Sequence, residues 1–287
     1  MRITVIGAAN IDIITKSKSK IVPGDSNPAE IKLTAGGVAR NIAVILASCG
    51  ETVDFITAVG KDPFGSLLRK SCTGIGVNTD AWIEKSSTAT GVCLDTLNNT
   101  GESFAAFNAM SAPESIRTAE ITKHKNLISE ADLLILDLNL TEKIIGVILD
   151  LREDRPVMAD AVSVEKVLRI ENFLERINIL RLNRLEAEHL TGITLDNKER
   201  VKQACYNIAN RGVQRVFTTL GMAGVCAADK NNAIFVPAVP IAVKNTKGAG
   251  EAFSAGIALH FESDLRTQAE AGAKLASEHL GRNARAN

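Results

Sequence analysis

From about residue 130 the chain alternates apolar runs with amphipathic ones: ADLLILDL, a helical pattern from about Thr141, PVMAD, a helical pattern near 164 to 174, INILRLN, and a further helix. Strands and helices alternating at this spacing form parallel βαβ units with helices on both faces, so the fold class is α/β with a mostly parallel central sheet. The first half fits the same scheme. RITVIG reads as a buried strand, TAGGVARNIAVILASCG as a Gly-rich turn feeding a helix that stops at Gly50, and TVDFITAVG as a second strand before a helix that starts near Pro63. No period of 20 to 50 residues repeats, and residues 1–287 read as a single domain.

Two stretches, about 12–35 and 80–110, break that rhythm. They carry alternating patterns such as GVCLDTLNNTGESFAAF, in which Asn-Asn-Thr-Gly joins two short strands as a hairpin. The economical reading is a small β-sheet that projects as a lid over the carboxyl ends of the main strands, where open α/β sheets bind ligands. Plain edge strands with no lid role stay open as the alternative.

Charge narrows the partners. Thirty-three basic residues balance thirty-three acidic ones, so no overall field draws the chain to nucleic acid or an anionic membrane, and any phosphate site must be local. The apolar run before Asp12 is too short for a signal-peptide core, which makes the cytoplasm the expected compartment. Cys49, Cys72, Cys93, Cys205 and Cys226 lack CxxC spacing and are odd in number, so they read as reduced core thiols. His124, His189, His260 and His279 show no metal-ligand spacing, and Asp62 before Pro63 reads as a helix cap. Trp82 and Tyr206 are too few for a nucleic-acid stacking platform.

The strongest chemical signal is GAGEAFSAG, residues 248–256, between strand-like FVPAVPIAV and helix-like AFSAGIALHF. Glycines let backbone approach a ligand, and the N–H groups of Gly248, Ala249 and Gly250 would point from a helix N-terminus at an anion. Glu251 in the first turn would take a proton from an attacking hydroxyl while those amides stabilise a moving phosphoryl group. Alone, the pattern is better explained by tight helix packing and a dipole-complementing Glu, because such short patterns are common. Its company changes the weighing. GAANID (7–12) ends the first strand with Asn10 and Asp12, one strand period apart and suited to sugar hydroxyls. AGGVARN (35–41) offers Gly36 and Gly37 for close approach, with Asn41 about one turn into the helix. NRLEAE (183–188) places Asn183 and Glu186 across a helix start. Glu186 would reach phosphate oxygens through Mg²⁺ and water, or the pair is simply a capping box. TLGMAG (219–224) is a strand end and a Gly-bracketed turn that would lie along a nucleotide.

In this order the motifs resemble the ribokinase (PfkB) family of carbohydrate kinases over nearly the whole chain. Within it, DSNPAEIKLTAGGVARNIA (25–43), LNNTGESFAAFN (97–108) and NRLEAEHLTG (183–192) look most like the bacterial pseudouridine kinases. The resemblance implies a three-layer α/β/α domain with a β-sheet lid used for homodimerisation, ATP and Mg²⁺ as cofactors, a possible monovalent cation, and a small sugar or nucleoside as substrate. It implies that Asp12, Gly37 and Asn41, with Asn10, Gly36 and Asn108, contact the ribosyl moiety. Asn183 and Glu186 would then serve the Mg-ATP phosphates, Thr219, Gly221 and Gly224 would line the nucleotide site, and Glu251 would be the base. Several positions depart from the family pattern Asp-Thr-x-Gly-Ala-Gly-Asp and its neighbours. Asn245 stands for the first Asp and Glu251 for the last, Lys247 adds a cation, Asp160-Ala161-Val162-Ser163 replaces Asp-Pro-Val-Ser, and Leu182 replaces a common proline. The given sequence closes on HLGRNARAN, so helices flanking the adenine are expected to be short. A Glu carboxylate reaches about 1.5 Å further than an Asp one, and a misplacement on that scale costs about a hundredfold in rate. A kinase for ribose or another nucleoside, and a ligand-binding relic of the fold, are the competing expectations.

Overall fold

The leucines of LLILD leave no polar side for solvent, and the strand they form is buried along its whole length, as expected of the centre of a parallel sheet. The structure is a computed structural model describing residues 1–241 and 246–286, with side chains up to residue 282. Asn245 therefore lies outside the described residues. In chain order the strands are β1 (Arg2–Ile6), β2 (Asn10–Ser17), β3 (Ala29–Gly36), β4 (Thr52–Ile56), β5 (Ala58–Gly60), β6 (Ile83–Lys85) and β7 (Gly91–Leu97). They continue as β8 (Ser103–Ala109), β9 (Leu133–Asp137), β10 (Val157–Asp160), β11 (Ile179–Asn183), β12 (Arg215–Thr219), β13 (Val225–Ala228) and β14 (Ala233–Val236).

Eight of them form the main sheet in the order β14-β13-β12-β11-β10-β9-β1-β4. Pairing is parallel from β4 to β12 and antiparallel at β12–β13 and β13–β14. Alternate residues of β9 feed opposite cores, Leu134 and Leu136 one and Leu133 and Ile135 the other. Helices Glu142–Arg152 and Lys198–Asn210 cover the first face, and helices Val38–Ser48 and Ala249–Leu259 the second. This is the three-layer α/β/α arrangement.

A separate four-stranded sheet, ordered β3-β2-β7-β8, is built from the segments that broke the helical rhythm. Its cross-strand row Thr34, Asp12, Cys93, Asn108 shares one face. The turn between β7 and β8 closes on Asn98, whose side-chain oxygen accepts from the Thr100 and Glu102 amides.

Several expectations are revised. Asn10 and Asp12 open β2 rather than end β1, because the chain leaves the main sheet at Gly7, whose N–H bonds Ile56 O at 3.2 Å. TVDFITAVG divides into β4 and β5, since beyond Ile56 the chain pairs with β6 in a two-stranded sheet. The helix near 164–174 is wound as 3₁₀ turns over Lys166–Arg176. FVPAVPIAV stops as a strand at Val236, because Pro237 has no N–H to give the ladder. Cys72, Cys205 and Cys226 are buried, but Cys93 is only partly so and Cys49, just past a helix end, is exposed. Asp62 caps helix Pro63–Thr73 as expected, accepting from Gly65 N at 2.8 Å, and its other oxygen also holds Thr90 N. Among the described residues no helix is long and apolar enough to cross a membrane.

Candidate active site

Loops leaving β1, β9 and the lid converge on one buried carboxylate. Asp137, at the end of β9, accepts from Ala8 N (3.1 Å), Ala39 N (2.9 Å), and the backbone and side-chain nitrogens of Asn139 (both 3.0 Å). Burial pushes its carboxyl up, while these four donors pull the other way. It thereby pins the Gly7–Ala9 crossing against the start of helix Val38–Ser48. A Cβ on Gly7 would lie 2.4 Å from Asp137 Cγ.

Gly37 stands at φ 105°, in backbone that favours glycine, and a Cβ there would meet Ala8 O at 2.4 Å. Gly36 lies against Asp12 in the same way, at 2.6 Å from its carboxylate. Asn10 Nδ2 donates to Asp12 Oδ1 at 2.7 Å, so the pair does share a face. The other Asp12 oxygen accepts from Lys247 Nζ at 2.6 Å. Asn41 Nδ2 donates to Glu251 Oε1 at 3.0 Å, across 210 positions of sequence. Two bonds from opposite ends of the chain thus join Asn10, Asp12, Gly36, Gly37, Asn41, Lys247 and Glu251 into one cluster. Asn108 is exposed on the same lid row, two strands from Asp12, which sets it roughly 10 Å off.

Helix Ala249–Leu259 opens at Gly248 in the left-handed conformation, φ 85°. Ala249 N–H, expected to face an anion, donates instead to Thr246 O at 3.2 Å, because the approaching chain folds back as a turn. Gly248 and Gly250 amides have no acceptor among the described residues. His279, which sequence spacing had set aside, is packed on this turn: a Cβ on Gly248 would meet its Nε2 at 2.7 Å. Burial lowers the His279 pKa, with Arg282 acting in the same direction and Glu251 against it.

Beyond the sheet centre, Asn183 caps helix Arg184–Thr191 as half of a complete capping box. Its Oδ1 accepts from Glu186 N at 3.0 Å, while Glu186 accepts from Asn183 N at 2.6 Å and Nδ2 at 2.7 Å. Glu186 is 1% exposed, and burial raises its carboxyl to about 6 despite Arg181 and the Asn183 amide, which lower it. Thr219 Oγ1 accepts from Arg181 Nη2 at 3.0 Å. Gly221 faces open space at φ 60°. Gly224 is held by packing, since a Cβ would lie 2.1 Å from Val236 O.

Two further polar groups and one strained residue border the cluster. Asp160, at the end of β10, accepts from Ser254 Oγ at 2.7 Å and so ties the sheet to helix Ala249–Leu259. Val162, two residues on, adopts φ 67°, a strained conformation for a β-branched residue that costs about 1–3 kcal/mol and collects near functional sites. Lys166 Nζ donates to Asn139 Oδ1 at 2.5 Å, and burial lowers its pKa. No group of three or more His, Cys, Asp or Glu able to hold a metal occurs among the described residues. A hard cation carried in on phosphates needs only one or two protein carboxylates and water, and Glu186, buried and with both oxygens held by Asn183, would reach one only through water.

The pattern of the pfkB family carbohydrate kinases matches residues 1–284. The chain is 35% identical over 257 residues to pseudouridine kinase of Escherichia coli (strain K12), across 89% of this chain and 82% of that one. Superposed on Arabidopsis thaliana ribokinase complexed with ribose and ATP, it gives a TM-score of 0.87 at 23% identity, covering 97% of this chain and 92% of the other. Thermotoga maritima ribokinase gives 0.82 at 25% identity, over 96% and 90%.

Proposed function

Since the chain belongs to the PfkB family of carbohydrate kinases and is an ATP-dependent kinase of a carbohydrate or nucleoside, we propose that its acceptor is the 5′-hydroxyl of pseudouridine. The observation that carries this reading is the Asn41–Glu251 hydrogen bond. It holds a carboxylate at the first turn of a helix N-terminus, next to the lid residues suited to sugar hydroxyls. The segments DSNP and GGVARN and the identity to the Escherichia coli enzyme support the choice of nucleoside.

In this mechanism Asn10, Asp12 and Asn41 hold the ribosyl hydroxyls, with Gly36 and Gly37 leaving room and Asn108 flanking from the lid. Glu251 accepts the proton of the 5′-hydroxyl as its oxygen bonds the γ-phosphorus. The bond from that phosphorus to the β,γ-bridging oxygen breaks, and ADP leaves with the electron pair. Amides of Gly248 and Gly250, at the positive end of the helix dipole, stabilise the charge on the moving group. Thr219, Gly221 and Gly224 line the nucleotide, and Asn183 and Glu186 face its phosphates. Mg²⁺, when bound, would neutralise phosphate charge, and Glu186 would hold it through water. Through the lid's outer face the chain forms a homodimer, for which Ile31, Leu33 and Phe107 are 65%, 47% and 64% exposed.

A panel of nucleosides and sugars scored for ADP release tests the reading, with thermal shift in parallel. Pseudouridine-dependent ADP release is expected. Faster turnover of ribose or uridine would reassign the acceptor, and binding without turnover of any acceptor would mark a relic.

A further inference from the structure

Arg181 belongs to none of the motifs that signal phosphate chemistry, yet its side chain touches Thr219 of one and packs against Gly250 of another. It occupies the middle of β11, two residues before Asn183. The side chain is only 12% exposed. Nη2 donates to Thr219 Oγ1 at 3.0 Å, and Nη1 faces Asp160 Oδ1 at 3.5 Å. Nε is buried with no acceptor among the described residues.

The remaining side of the guanidinium is covered by Gly250. A Cβ on that glycine would lie 2.5 Å from Nη2 and 3.0 Å from Cζ. Gly250 is not in left-handed backbone, so a side chain there would be felt through the guanidinium, which would have to shift to admit it. The arginine plane thus lies directly under the turn whose amides face the anion. Its charge is poorly compensated: Asp160 stands at 3.5 Å and shares its carboxylate with Ser254 Oγ. Glu186 is a second carboxylate that feels its charge, but a buried cation with no ion pair closer than 3.5 Å and an idle Nε is costly unless something else uses the charge.

We propose that Arg181 is a positioning residue for phosphoryl transfer, seating the Gly248–Gly250 turn against Thr219 and adding positive charge beneath the phosphate-facing amides. This rests on the kinase reading above. It gives Gly250 a role distinct from backbone freedom, and it connects the nucleotide-side residues to the catalytic turn through one side chain.

Steady-state kinetics of Arg181→Lys and Arg181→Met separate this from a brace of strand ends. Losses in kcat of about tenfold and about a hundredfold are expected, with KM for the acceptor held within about threefold. Guanidinium added at millimolar concentration should restore part of the activity of Arg181→Ala, which a mere brace would not allow. Gly250→Ala drives a methyl into the guanidinium, so it should add little to the loss already caused by Arg181→Met. In thermal shift, ATP should stabilise Arg181→Met less than wild type, whereas adenosine should stabilise both alike. If wild type releases ADP and Arg181→Met keeps its kcat within about twofold, or if Gly250→Ala and Arg181→Met are fully additive, this inference fails and the kinase reading stands. If wild type neither releases ADP nor is stabilised by ATP, both fail together. If wild type binds ATP without turnover, equal ATP stabilisation of wild type and Arg181→Met overturns the inference alone.

Discussion

Glu251 is the residue at which this chain departs most consequentially from Asp-Thr-x-Gly-Ala-Gly-Asp. The extra methylene carries its carboxylate about 1.5 Å further from the helix, and Asn41 Nδ2 meets Oε1 there at 3.0 Å. If Glu251 is the base proposed above, a Glu fitted to a partner on another helix is an adjusted one, and shortening it should break the fit. Glu251→Asp is therefore expected to lower kcat roughly ten- to a hundredfold while KM for ATP stays level. Glu251→Gln, which keeps the hydrogen bond but cannot take a proton, should lose about 10²–10⁴-fold. A rise in kcat for Glu251→Asp would show that the longer side chain is a lesion. Lys247 bears on the same point, because its bond to Asp12 closes the sugar side of the cluster with a cation from the phosphate side.

At the scale of elements, the start of helix Arg184–Thr191 makes folding sensitive to pH through Glu186. Its carboxyl, ordinarily near 4.5, is raised to about 6 by burial. Below about pH 4.5 folded and unfolded chains both keep the proton, and the contribution vanishes. As pH rises through 6, the folded chain must give up a proton that it holds more tightly, which costs about 2 kcal/mol of stability by pH 7. Urea unfolding of Glu186→Gln at pH 5 and pH 7 should show that decline removed, because Gln can complete the same capping box without ionising. An unchanged decline in the variant would place its origin elsewhere. The capping box and the Gly248 turn were legible in the sequence because both are local, with cap and partner three residues apart. Asp137, Arg181 and His279 were not. Asp137 closes the apolar run LLILD as any strand end might, and Arg181 in INILRLN looks like a residue facing water. His279 belongs to helix Leu265–Ala286, and only packing brings it to Gly248. The early stop at Val236 shows the converse, a local signal in Pro237 that the apolar run around it obscured.

Over the whole molecule, period-two and helical patterns were enough to give three layers and a second sheet, because each strand's burial is written in its own residues. The arrangement of that second sheet leaves Leu33, Ile13, Leu94 and Phe107 in one cross-strand row on the face opposite Asp12. Leu33 and Phe107 at its ends are exposed, and apolar patches of this kind mark association surfaces. Sedimentation of the wild-type chain should give twice the chain mass, and Phe107→Glu together with Leu33→Glu should give monomers that still fold. A wild-type monomer would exclude the dimer.

The 210 positions between Asn41 and Glu251 also set a timetable. A ribosome adding about 5–20 residues per second exposes the loops proposed to bind sugar roughly 10–40 s before the proposed base exists. Until then a nascent chain can present hydroxyl-binding groups but has nothing to fire a phosphate with. Spending of nucleotide is thereby deferred to the last stage of synthesis, so turnover reports a finished polypeptide. The same separation offers a place to divide the gene: two fragments cut within it would rejoin through the shared sheet and helix layers and regain activity on reassembly.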